Sequence, residues 1–140
     1  MNLFSFALVA LTLVAGQAAP AQTPALSKET AALQGRWVVT LLNDQDPQGA
    51  LELQFDGNKY AVAGGGADET GTFKLDASKT PWTFDLTIVE GTDAGKVQLG
   101  ILEMKGDAIH GLLGTAGATT RPAGWDSPDG AISFVAVKKK

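Results

Sequence analysis

Imidazole titrates near neutral pH and is the commonest metal ligand, so the one histidine of the chain, His110, is where chemistry would start. It lies in "DAIHGLL", where alternation turns Ile109 and Leu113 inward and His110 outward. A histidine that activates a nucleophile is held in orientation beside it, and no serine here stands in a nucleophile-elbow context. Zinc and copper sites draw on several His or Cys side chains, and this sequence has one histidine and no cysteine. His110 therefore reads as an ordinary surface side chain. No catalytic residue, metal site or cofactor is expected, and the chain is not expected to be an enzyme.

The carboxylates lead to the same reading. Asp44 with Asp46, and Asp126 with Asp129, are close pairs beside Pro or Gly in predicted loops, where Asp normally caps turns. Neither pair has the spaced ligands and final glutamate of a calcium loop. Glu103 stands out, because alternation from Val97, Leu99 and Ile101 points it inward; a place at a strand end would let it reach solvent. The glycine-rich "AGGGADETG" has no following helix to present a dipole, so it reads as a hairpin and not a phosphate cradle. Fifteen acidic residues against 11 basic ones disfavour nucleic acid as a partner, since phosphate binding needs concentrated Lys and Arg. Lys138, Lys139 and Lys140 read as a solvated tail. Trp125, in "PAGWDSPDG", is either folded back on the domain or exposed as a contact point.

The elements that would position any site begin after residue 21. Leu3 to Ala15 form a 13-residue apolar block, shorter than the roughly 20 residues that span a bilayer, and small residues follow at cleavage spacing. Residues 1–21 are thus expected to be a signal peptide, cut near Ala19 or Gln22, which places the mature chain in the periplasm or outside the cell. With no cysteine to acylate, no stable membrane anchor is expected after cleavage, and the fold does without disulfides. Residues 22–32 read as a linker and short helix, with Ser27 as N-cap, Glu29 at the positive end of the helix dipole and Gly35 as the stop.

From residue 33 to 140 the period changes to two. In "LQGRWVVTLL", Trp37, Val39 and Leu41 share a face. "LELQFD", "KYAVAG", "TGTFKLD", "PWTFDLTIV", "GKVQLGILEM", "DAIHGLL" and "GAISFVAVK" follow, joined mostly by short connections, with Asp56-Gly57-Asn58 as a tight turn. Eight short strands, mostly apolar on one face, predict an all-β antiparallel up-and-down barrel in one domain; a two-sheet sandwich has the same periodicity.

Gly35-x-Trp37 after a short helix resembles the lipocalin and fatty-acid-binding barrels. More of the chain is similar to a family of uncharacterised bacterial exported lipocalin-like domains, through "LQGRWVV", "LQFDGNKYAV", "GTFKLDASKTPWTFDLTI", "EGTDAGKVQLGILEMKGDAI" and "TTRPAGWDS". The resemblance implies a barrel with Trp37 closing its narrow end, and carries no ligand, activity or site residue. The connection "NDQDPQG" is short, so little lid is expected at the other rim. On a barrel, Leu53, Phe55, Tyr60, Val62, Phe73, Phe84, Leu86, Leu99 and Ile101 form an apolar inner wall, with Tyr60 as the polar group. Glycines and alanines of the third and seventh strands read as leaving interior volume. Arg36 or Arg121 is expected to stack on the outer face of Trp37. Binding of a small hydrophobic or amphiphilic molecule in the barrel is the leading expectation. The alternative is an interaction or structural module with a filled interior and a protein partner not named by the sequence.

Overall fold

A computed structural model describes residues 26–66, 68–126 and 130–140. The expected leader and its cleavage sites, the linker as far as Ala25, and Asp129 lie outside the described residues.

Ser27 opens helix α1 (Lys28–Leu33): its hydroxyl oxygen accepts from the Thr30 N–H at 3.1 Å, satisfying one free donor of the first turn. The helix ends at Leu33, two residues before the expected glycine. Gln34 has already left helical geometry (φ −58°, ψ 144°), and Gly35 then takes φ +108° as the chain swings into a strand.

The described residues form eight strands: β1 (Gly35–Leu42), β2 (Leu51–Asp56), β3 (Lys59–Gly64), β4 (Glu69–Asp76), β5 (Trp82–Glu90), β6 (Val97–Lys105), β7 (Ala108–Leu113) and β8 (Ile132–Lys138). Each pairs antiparallel with the next, and β8 pairs with β1, so the sheet closes into an up-and-down barrel. Closure excludes the sandwich and leaves no unpaired sheet edge.

Alternation carries the packing as expected on β2 to β5, where Leu51, Phe55, Tyr60, Phe73, Phe84 and Leu86 are buried in one core with Trp37. Three expectations fail. On β1 the pairing with β8 slips between Val39 and Leu41. The extra residue reverses the alternation, so Leu41 is 36% exposed and Leu42 packs on the core in its place.

On β6 the whole phase is opposite to the one expected. Gln98 lines the interior, Leu102 is buried in the core and Met104 packs against it, whereas Leu99, Ile101 and Glu103 face away. Ile101 is nevertheless 3% exposed, and its partner on β7, the outward Leu112, only 1%. The segment after β7 accounts for this by running back over the outer wall. The Gly114 N–H donates to the Leu99 carbonyl at 2.8 Å, Arg121 donates to the Gly100 carbonyl at 2.7 Å, and Pro122 is buried. β6 is thus apolar on both faces.

The small residues do not leave space where expected. Ala63 is exposed, and the room at inward-facing Gly111 is taken by the Phe134 ring, which would clash with a Cβ there.

Candidate functional site

The two ends of the barrel differ. At the end where β1 begins, α1 lies across the opening and delivers Leu33, 0% exposed, beside Trp37, 1% exposed. The Trp37 indole N–H donates to the Leu33 carbonyl at 2.7 Å, satisfying a buried donor and one of the open carbonyls of the helix end. Gln34 clips the helix to the β2–β3 turn: its amide nitrogen donates to the Gly57 carbonyl at 3.0 Å, and its amide oxygen accepts the Gly57 N–H at 2.6 Å. The cation over Trp37 is Lys138, its Nζ 5.5 Å from the ring centroid, and neither of the arginines expected there. Arg36 is exposed, and Arg121 is paired with Asp85 on the outer wall. Nor are the terminal lysines merely a solvated tail. Lys139 bridges to Glu52 at 2.7 Å, and its hydrogen bond and charge hold the Glu52 carboxyl below its ordinary pKa.

Above this plug Phe55, Phe73 and Phe84 form an aromatic floor, with edge-on contacts of 5.2 Å (Phe55–Phe73) and 6.1 Å (Phe55–Phe84) between centroids. Over the floor lies a cavity of about 240 Å³, open at the far rim. Its wall comes from Val39 and Leu42, Leu51 and Leu53, Val62, Leu86, and Leu113, Ile132 and Phe134. The connection between β1 and β2 contributes only Asn43 to the lining. That connection curls back on itself through the Leu42–Gln45 bridge, and the Asn43 side-chain oxygen accepts the Ser133 N–H at 3.0 Å.

Six of the nine residues expected to form the inner wall line the cavity: Leu53, Phe55, Tyr60, Val62, Phe84 and Leu86. Phe73 is buried in the floor behind it. Leu99 and Ile101 are on the outer wall, for the reason of strand phase given above, and are no part of the lumen.

Of the polar side of the cavity the sequence showed Tyr60, and missed Glu69 and Gln98. Glu69 lines it, because its Cα partner on β3 is the inward-facing Val62. The Tyr60 hydroxyl donates to the Glu69 carboxylate at 2.8 Å. Burial first, then that hydrogen bond and the carboxylate's charge, push the Tyr60 phenol well above its ordinary pKa. Gln98 also lines the cavity and donates its amide N–H to the Gly114 carbonyl at 2.8 Å. Continuing the alternation of Phe73 and Gly71 one step back would have turned Glu69 inward; reading "AGGGADETG" wholly as a turn concealed it.

His110 does face outward, but it is not a solitary surface side chain. Trp125 is folded back on the barrel and stacks on the imidazole, with centroids 4.2 Å apart and planes 14° from parallel. Glu103 lies 3.6 Å from the His110 Nδ1 and 3.0 Å from the Lys105 Nζ. This cluster clamps the long β7–β8 connection to the outer wall and has no opening to the lumen.

Among the described residues, no helix is long and apolar enough to cross a membrane. No protein-family model matches the chain, and no curated protein or solved structure matches it.

Proposed function

We propose that the chain is an exported, lipocalin-like barrel that binds one small hydrophobic or amphiphilic molecule at the open end of its lumen and performs no catalysis. The observation that carries this reading is the cavity itself: about 240 Å³, apolar over most of its wall, closed below by aromatic rings and open to solvent above. An apolar cavity of about 150 Å³ holds benzene, so a somewhat larger body fits here, held mainly by burial. Periplasmic or secreted placement is supported by the apolar block Leu3 to Ala15 and the small residues after it. Gly35-x-Trp37 and the ordered segments that follow support a place among the exported lipocalin-like domains.

The test is a fluorescence titration with a panel of small apolar probes, comparing wild type with Phe84→Trp and Leu53→Trp. The first adds volume at the floor; the second does so at a half-buried wall position that tolerates change better. Saturable binding by the wild type, weakened about tenfold or more in folded variants, is expected. Absence of binding across the panel would overturn the reading in favour of an interaction module working through the outer surface.

A further inference from the structure

We propose that the cavity selects a cationic head: its ligand is a small amphiphile carrying a protonated amine on an apolar body, and Glu69 receives the ammonium. This rests on the lumen-binding reading and specifies its ligand. Among the described residues Glu69 is the only acidic side chain lining the cavity, and no lysine, arginine or histidine of them lines it. Among the described residues no cation lies within ion-pair distance of Glu69.

The hydrogen-bonding sense of the wall points the same way. Tyr60 has one O–H and donates it to Glu69, so the phenol oxygen is left to accept. Only one Glu69 oxygen is engaged by that bond, which leaves the other as an acceptor. Gln98 spends an amide N–H on the Gly114 carbonyl, and its own carbonyl oxygen has no partner among the described residues. Against these acceptors the lining side chains of the described residues keep only neutral donors, the Asn43 amide at the exposed rim and the second amide N–H of Gln98. An ammonium head supplies three donors and the opposite charge, and would pair with Glu69 through charge-assisted hydrogen bonds. A carboxylate head would bring a second negative charge beside Glu69 with no cation between them. The mouth therefore discriminates by charge, while the aromatic floor takes the apolar body without regard to it.

The experiment is calorimetric titration of the protein at neutral pH with three probes of one body and different heads: n-hexylamine, 1-hexanol and hexanoate. Hexylamine is expected to bind about tenfold or more tightly than hexanol, and hexanoate more weakly than either. Glu69→Gln should bring hexylamine down to the level of hexanol while leaving hexanol within about twofold. Tyr60→Phe, which keeps the carboxylate, should preserve the preference for the amine. Hexanoate binding as tightly as hexylamine, or an amine preference that survives Glu69→Gln, overturns the head assignment while the lumen site stands. No binding of hexylamine by the wild type overturns it too, and the apolar probe panel then tells whether the lumen site falls with it. Should Glu69→Gln not fold, the wild-type ranking alone decides.

Discussion

The closed and open ends of this barrel are built from the same strands and much the same residue types, yet one is solid and the other hollow. At the closed end Leu33 and Trp37 are out of contact with water, and the indole N–H has a carbonyl to meet. At the open end Leu42, Leu53 and Val62 are only half-buried and look onto empty space. The difference lies in what covers each end. A six-residue helix, fastened by the Gln34 side chain, covers the first. The β1–β2 connection could have covered the second, but it folds onto itself and places only Asn43 at the mouth. A barrel of eight strands has room for filling side chains or for one small ligand, and here the capping element decides which end gets which.

The contrast can be broken most directly by truncation. Trp37→Ala removes a fully buried ring from a site that cannot collapse, because the strands around it are fixed by closure. It should cost about 3–5 kcal/mol, read as a lowered urea midpoint. Leu53→Ala removes a half-buried side chain that already borders a void, and should cost about 1 kcal/mol or less. Equal losses at the two positions would mean that the ends are packed alike.

A smaller effect tests how the cap is held. Gln34→Ala removes two hydrogen bonds to the Gly57 backbone and one, at 3.1 Å, to the Thr30 carbonyl. All are partly buried, and the backbone groups regain some water, so the expected cost is about 1–2 kcal/mol. If the clip is what seats α1, hydrogen exchange should quicken in the helix and in the β2–β3 turn together, while the open rim is unaffected.

These same residues show what the sequence made legible. Trp37 could be placed because alternation and a preceding helix both point it into one end. Most of the cavity wall could be placed because β2 to β5 are apolar on one face and polar on the other. Alternation fails where that asymmetry is lost. β6 carries Leu99 and Ile101 on one face and Leu102 and Met104 on the other, since the β7–β8 connection buries its outer side, and the phase is then fixed only by tertiary structure. On β1 a bulge exchanges Leu41 for Leu42, and nothing in "VVTLL" marks the slip. Glu69 was hidden for a different reason. A carboxylate facing inward contradicts the pattern by which strands are recognised, and local rules are broken most often where a site needs them broken.

The last effect is absent at neutral pH and sharpens the picture of the open end. Tyr60 is the only tyrosine, so the phenolate absorbance reports on the cavity wall alone. Burial and the Glu69 carboxylate raise its pKa in the folded chain above the ordinary value of about 10. A group whose folded pKa is raised contributes stability that is complete below the unfolded pKa and is lost as pH climbs toward the folded one. The chain should therefore be indifferent to this phenol below about pH 10 and lose stability through it only above. Lysines lose their protons in the same range, but Tyr60→Phe separates the contributions: the variant keeps the lysine part of the alkaline decline and loses the phenol part. Absorbance should show no phenolate in the folded protein near pH 10, and its appearance at higher pH should coincide with unfolding followed by tryptophan fluorescence. A phenolate that forms with an ordinary midpoint while the barrel stays folded would mean that water reaches Tyr60 freely and that the Tyr60–Glu69 contact does not persist in solution.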